Sequence, residues 1–288
     1  MMGSSLSFGL FGLHRGANTD PDTLSARAQL AERAGFESVW VGDHVTLPYG
    51  EHALPANPAD QPRLEVVVAL AYLAAVTSRV RLGIGVIVLP QRQPVLLAKQ
   101  LTTVDVLSKG RLIVGIGVGY LEPELEALGA SLADRGARTD EYLAAMRAIW
   151  DECAPSFAGK FVSFTDVMQR PLPVQRPNPP IVVGGSSPAA YRRAILAGNG
   201  FYGSTMSVEH AAEVLGEIRA LAERHPRPPE LGELEITITP SESIDVAMAR
   251  RYADLGVHRL LLWPRNVDGP GQLEAFISSV GDGVIGRV

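Results

Sequence analysis

The chain predicts a (β/α)8 barrel with an insertion between its fourth and fifth units. Three observations lead there. Short apolar runs rich in valine and isoleucine alternate with longer amphipathic stretches, the pattern of parallel strands joined by crossover helices. The runs at residues 82–88 and 112–119 show no polar alternation, as expected of strands covered on both faces. Eight strand-then-helix units within 288 residues match the size of one closed barrel. An open doubly wound sheet is the competing arrangement.

The elements follow in order. Residues 6–13 form the first strand. Asn18-Thr19-Asp20-Pro21 offers a helix cap followed by proline, and residues 24–34 carry helical spacing as far as Gly35. Residues 38–41 form the second strand, with Gly42, Asp43 and His44 at its end. The proline-rich stretch 46–63 is too long for a plain connector and reads as a loop covering a site. An apolar helix over 64–77 precedes the third strand, 82–88, and a helix over 94–107 leads to the fourth, 112–119. Glycines inside these two strands mark close approach by another backbone or a flat ligand. Helices over 121–133 and 139–151, a hairpin over 157–164 and a proline-rich connector over 171–180 separate the two halves. Strands at 181–183, 200–203, 234–239 and 259–263 then alternate with helices at 189–196, 208–224, 244–254 and 273–280.

Hydrophobic residues make up 46% of the chain, enough for a large core. A formal net charge of −5 argues against nucleic acid as a partner. Cys153 is the single cysteine, so an internal disulfide and a cysteine zinc cluster are excluded. No His, Asp or Glu cluster has metal-ligand spacing, and no metal is expected. No apolar run reaches the ~18 residues of a membrane span. The first residues lack the basic and apolar regions of a signal peptide, so the expected location is cytoplasmic.

A barrel gathers the C-terminal ends of its strands at one mouth. Those ends carry His14, Asp43, His44, the run from Val86 through Val88 to Pro90, the run from Gly117 to Tyr120, the turn from Gly184 to Ser187, Gly203, Ser204, Trp263 and Pro264. His44 is the best acid/base candidate, with Asp43 as a carboxylate able to orient it. The competing role is a histidine that only bonds its loop. His52, His210, His225 and His258 fall in loops or at helix ends and are expected to be solvated. Gly184, Gly185, Ser186 and Ser187 precede a helix, where free N–H groups, hydroxyls and the helix dipole make an anion site. A tight turn with a serine cap is the plainer reading. The glycines 115, 117 and 119 do not form a dinucleotide fingerprint, because Tyr120 stands where glycine is needed. Neither a Walker A sequence nor a G-x-S-x-G elbow occurs.

Four segments together resemble the luciferase-like oxidoreductase family, and within it the branch that uses the deazaflavin coenzyme F420. They are AERAGFESVWVGDH at 31–44, LGIGV at 82–86, LSKGRLIVGIGVG at 107–119 and PPIVVGGSS at 179–187. The resemblance runs over nearly the whole chain. It implies one luciferase-like TIM-barrel domain over residues 1–288, often assembled as a homodimer. It places the cofactor ring at the end of the third strand, against a bulge held by a non-proline cis peptide at Gly85-Val86, with Val88 among the cofactor contacts. Gly117, Val118 and Gly119 would line the ring pocket. Gly184, Gly185, Ser186 and Ser187 would hold the phosphate, Asp43 would lie by the ring, and His44 would donate the proton.

The sequence also departs from that branch. Tyr120 occupies the position of a catalytic carboxylate in the deazaflavin sugar-phosphate dehydrogenases, and Pro123 that of an asparagine, which points away from their substrate. Tyr120 is left as a hydrogen-bond donor to a substrate carbonyl or to the ring. Glu122 and Glu124 are expected to face solvent in the first turn of a helix. Arg15, Arg63, Arg92, Arg192 and Arg193 would meet the oligoglutamate tail of F420 or serve as ordinary surface arginines.

The implied function is hydride transfer between F420 and a small organic substrate, with His44 moving the proton. An FMN-dependent monooxygenase supplied by a separate reductase is the second reading. A non-catalytic flavin-binding barrel is the third.

Overall fold

The apolar runs become eight parallel strands closed into a ring. The barrel strands are β1 (Ser7–Phe11), β2 (Ser38–Val41), β3 (Arg81–Ile84) with its continuation β4 (Ile87–Val88), and β5 (Leu112–Gly117). A small antiparallel hairpin follows, β6 (Phe157–Ala158) and β7 (Ser163–Phe164). The second half adds β8 (Ile181–Gly184), β9 (Gly200–Met206), β10 (Glu235–Pro240) and β11 (Arg259–Leu262). Around the ring the order is β3, β2, β1, β11, β10, β9, β8, β5, and β5 pairs back with β3 to close it. This computed structural model describes residues 6–288 except 55, 56, 152–155, 265, 266 and 268. Cys153 and the first five residues lie outside the described residues.

The helices are α1 (Pro21–Arg33), α2 (Val66–Val76), α3 (Pro94–Leu107), α4 (Glu122–Ala127), α5 (Arg135–Trp150), α6 (Pro188–Ala197), α7 (Val208–Arg224), α8 (Val246–Asp254) and α9 (Gln272–Gly283). Their starts follow local chemistry. Asp20 accepts the Thr23 N–H at 2.8 Å ahead of Pro21, and Gln93 accepts the Leu96 N–H at 2.6 Å ahead of Pro94. The helix expected over 121–133 is shorter, because Gly129 takes a left-handed φ of +73° and ends the α4 turn. Among the described residues no helix is long and apolar enough to cross a membrane.

The expected third strand is not continuous. From Leu82 to Ile87 it advances five residues, while its partner advances four from Leu112 to Ile116. The extra residue is a bulge at Gly85-Val86, and that peptide bond is cis. Gly115 makes room for it, since a Cβ there would overlap the Ile84 carbonyl oxygen.

Inside the ring, Trp40, Ile113, Val182, Tyr202 and Leu261 form a packed plug. The fully buried Trp40 indole covers Gly83 and donates to Ser38 Oγ at 2.8 Å. Below it, at the strand starts, buried Arg259 is tied to Glu37, Glu235 and Thr237. A bottom closed in this way leaves the C-terminal mouth as the open end.

Two glycines test this packing. Gly83→Ala should overpack the plug against Trp40 and cost roughly 1–3 kcal/mol or more. Gly216→Ala, on the exposed face of α7 with nothing near its Cβ, should stabilise by about 0.5–1 kcal/mol. Urea melts of the two variants check both signs.

Candidate active site

The mouth encloses a cavity of about 360 Å3. Most of its wall comes from the ends of strands; Asn57 and Arg63 of the long loop after β2 and His210 of the first turn of α7 complete it. Phe11, His14 and Arg15 follow β1; Gly42, Asp43 and His44 follow β2; Gly85, Val86 and Val88 form the bulge; Gly119 and Tyr120 follow β5. Gly184, Gly185 and Ser186 end β8, Tyr202, Ser204 and Met206 belong to β9, and Trp263 follows β11. A larger cavity of about 830 Å3 lies at the opposite end, by Pro180 and Asn199 just before β8 and β9. In this fold that end carries stability rather than chemistry.

Asp43 is buried, and it does not orient His44. Its Oδ2 accepts the Val88 N–H at 2.9 Å and Arg92 Nε at 3.2 Å, and its Oδ1 accepts Arg92 Nη2 at 2.5 Å. Burial pushes its carboxyl up, against the opposing pull of Arg92 and the Val88 N–H. Arg92 also binds Glu65 at 2.7 Å, so it is a brace, not an arginine offered to a ligand. Arg193 likewise pairs with Asp140 outside the cavity.

The carboxylate that holds His44 is Glu124, which overturns the expectation of a solvent-facing residue. Glu124 is 2% exposed. Its Oε2 lies 2.9 Å from His44 Nδ1, and its Oε1 accepts the N–H groups of Val45 at 2.7 Å and Thr46 at 3.3 Å. The reason is angular. Buried Leu121, just before α4, and buried Leu125 within it mark the inward stripe, and Glu124 lies on it, whereas exposed Glu122 does not. That spacing was a signal in the sequence, masked by the usual bias for acidic residues in a first turn. His44 Nε2, on the far side of the ring, has no partner among the described residues. A Glu124 carboxylate can only accept, so it selects the tautomer with the proton on Nδ1. Tyr120 meets the His44 ring edge-on at 6.0 Å.

The glycine turn divides in two. Gly184, Gly185 and Ser186 face the cavity at the N-terminus of α6. Ser187 does not; its hydroxyl accepts the Ala190 N–H at 3.3 Å as the helix cap, a donor that needs a partner in any helix. Gly117 and Val118 also stand back from the cavity. A Cβ on Gly117 would come 2.6 Å from Val86 Cγ2, so this glycine makes space for the bulge, and of these three residues only Gly119 reaches the wall.

Sequence reasoning placed His14 at the mouth without giving it a state. It is buried with the Gly42 N–H 3.3 Å from its ring nitrogens. Burial first, then Arg15 and Arg63, push its pKa down to about 3. It is a neutral acceptor.

A bulge-walled mouth, a histidine held by a carboxylate and a glycine turn at a helix start thus meet at the strand ends of a (β/α)8 barrel. The chain belongs to the luciferase-like monooxygenase family, whose model matches residues 1–269. It is 31% identical over 250 residues to an uncharacterized protein of Mycobacterium tuberculosis, covering 83% of this chain and 86% of that one. It is 34% identical over 206 residues to the FMNH2-dependent dimethylsulfone monooxygenase of Pseudomonas putida, 70% of this chain and 54% of that protein. The coenzyme F420 dependent tetrahydromethanopterin reductase of Methanopyrus kandleri superposes with a TM-score of 0.77 at 16% identity, covering 97% and 98% of the two chains. At that identity the likeness is one of fold.

Two measurements check the site. In Glu124→Gln the amide oxygen can keep the Val45 and Thr46 bonds, while its NH2 turns Nδ1 of His44 into an acceptor. Histidine 15N spectra should then show the proton moved from Nδ1 to Nε2; an unchanged tautomer would refute the assignment. For His14, the unfolded chain takes up a proton near pH 6.5 that the folded site refuses until about pH 3. Stability should therefore fall as pH drops through that window, and His14→Gln should flatten the slope by up to about 1.4 kcal/mol per pH unit in urea melts.

Proposed function

We propose that the mouth binds coenzyme F420 and catalyses hydride transfer to or from a small organic substrate, with His44 as the proton donor and acceptor. The His44–Glu124 pair carries this reading. With the proton of the neutral ring on Nδ1, Nε2 is a base able to take the proton of a substrate hydroxyl. In the opposite direction the imidazolium, balanced by Glu124, gives that proton back to the oxygen.

The residues present fit such a cofactor. Val86, Val88 and Phe11 give apolar walls for a flat ring, and the N-terminus of α6 with Gly184, Gly185 and Ser186 suits its phosphate. Gly185 has φ +142°, and a Cβ on it would come 2.7 Å from Ala190 Cβ, so a larger residue there would displace the turn. Bound at this mouth, the deazaflavin would supply the hydride. The chain supplies orientation, a proton acceptor and, once the ring is charged, a proton donor at Nε2, and apolar walls. Tyr120, 63% exposed above His44, is placed to donate to a substrate oxygen. Burial raises its phenol above the ordinary value, so it stays protonated at neutral pH.

The second reading, an FMN-dependent monooxygenase fed with reduced flavin by a separate reductase, is favoured by the similarity to the dimethylsulfone enzyme. The same cradle would serve either phosphate. We also propose a cytoplasmic homodimer. The dimer is supported by α2, which is apolar on its outer face too: Val68 is 68% exposed and Tyr72 36%, with Leu96 exposed on α3.

Titration of the purified protein with F420 and with FMN separates the readings. Saturable perturbation of the F420 absorption band, absent with FMN, supports the first. Tight binding of reduced FMN with oxygen uptake supports the second, and binding of neither removes both. Ser186→Glu should weaken whichever cofactor binds by more than about tenfold, since like charges are brought together. His44→Ala should leave that affinity intact.

A further inference from the structure

We propose that the substrate carries an anionic group of carboxylate type, and that Arg63 binds it at the end of the mouth opposite the glycine turn. This rests on the reading of the mouth as a cofactor-and-substrate cavity.

The observation is a charge imbalance. Arg63 ends the long loop after β2, lines the cavity, and is joined to Arg15 by an antiparallel backbone bridge. Its guanidinium donates to Pro58 O at 3.1 Å, Gln61 O at 3.4 Å, Gln61 Oε1 at 3.1 Å and Asn57 Oδ1 at 3.2 Å. All four acceptors are neutral. The carboxylates of the neighbourhood are committed elsewhere: Asp43 and Glu65 to Arg92, Glu124 to His44 and the loop N–H groups. Among the described residues no carboxylate lies within ion-pair distance of Arg63. A partly buried cation ringed by neutral oxygens is solvated but not neutralised.

Glu124 acts on Arg63 through space but is tied to His44 and to the Val45 and Thr46 N–H groups. Arg15 and Arg63 both help to hold His14 neutral. An anion arriving here would gain charge-assisted bonds from a partly buried guanidinium. The Nε–H of Arg63 makes none of the four bonds, and the 3.4 Å bond to Gln61 O is the weakest, so these are the donors an anion would take.

Position makes the contact useful. Arg63 and Tyr120 share Asn57 as a hydrogen-bond partner, and Tyr120 lies edge-on to His44. An anion held by Arg63 is therefore anchored one ring away from His44, which orients the rest of the molecule toward Nε2. Trp263, under Arg15 at 4.6 Å and edge-on to Phe11 at 5.6 Å, offers a flat apolar wall beside that anchor. The recognised class is a carboxylate on a flat or apolar body.

The probes are benzoate and its neutral isostere benzamide, titrated by calorimetry into the apoprotein and the cofactor-saturated protein. Wild type should prefer benzoate roughly 10- to 100-fold, and Arg63→Gln should lose that preference while benzamide affinity stays within about twofold. Arg63→Lys should keep part of it, because charge is retained and the fork is not. Equal weakening of both ligands in Arg63→Gln would mean that the arginine only braces its loop, and would overturn the proposal. So would equal affinity for the two ligands in wild type. F420 affinity of Arg63→Gln is measured alongside: a large loss there with benzoate unaffected assigns the arginine to the cofactor tail and also overturns it. If wild type prefers benzoate but binds neither F420 nor FMN, the anion site stands and only the cofactor reading falls.

Discussion

One surplus residue in the third barrel strand governs the mouth. Because β3 and β4 advance five residues against four in β5, the chain must bow inward at Gly85-Val86. The neighbouring strand accommodates it by lacking side chains: Gly115 clears the Ile84 carbonyl, Gly117 clears Val86, and Gly119 clears Val88. The returning strand is then fastened by Asp43, which takes the Val88 N–H and is itself neutralised by Arg92. Through this chain of accommodations Gly85, Val86 and Val88 come to line the cavity.

The carboxylates around the mouth serve as clamps. Asp43 and Glu124 are both buried, and each accepts a backbone N–H beside the cavity as well as a bond from a basic side chain. A buried charge is tolerable only when paired and hydrogen-bonded. Each carboxylate therefore fixes two elements at once: Asp43 joins β2 to the bulge and Arg92, and Glu124 joins α4 to the loop after β2. With its acids so engaged, the cavity of a protein with net charge −5 presents Arg15 and Arg63.

One sequence relative is an FMNH2-dependent monooxygenase, and proteins that share only the fold include F420-dependent enzymes. The fold does not decide between them. What the chain adds is local: a histidine held by a glutamate from the next-but-one strand end, a tyrosine over it, and a long loop that brings a cation to the rim. Those features lie in loops carried by a rigid ring, where substrate choice changes without disturbing the core.

The barrel itself was legible in the sequence, because strand and helix periods and cap-proline pairs are local signals. Residues 38–41 and 208–224 appear in the structure with the bounds the pattern predicts, and the glycine turn at 184–186 faces the cavity. Local signals failed where the decision was made by a distant partner. Glu124 was expected in solvent from first-turn statistics, yet it is recruited by His44, eighty residues earlier in the chain. Asp43, adjacent in sequence to His44, was expected to orient it, but consecutive residues past a strand point apart, and Asp43 turns to Arg92. Ser187 was expected at the anion site, and the orphan N–H of Ala190 claims it. Sequence alone determined where the strands end, since period and punctuation set that. It did not determine which residues at those ends and beyond them face the cavity: Gly117, Val118 and Ser187 stand back, while Asn57 and His210 come in from a loop and a helix. Only the tertiary structure decided what each one holds there, because hydrogen-bond partners are chosen by proximity in space.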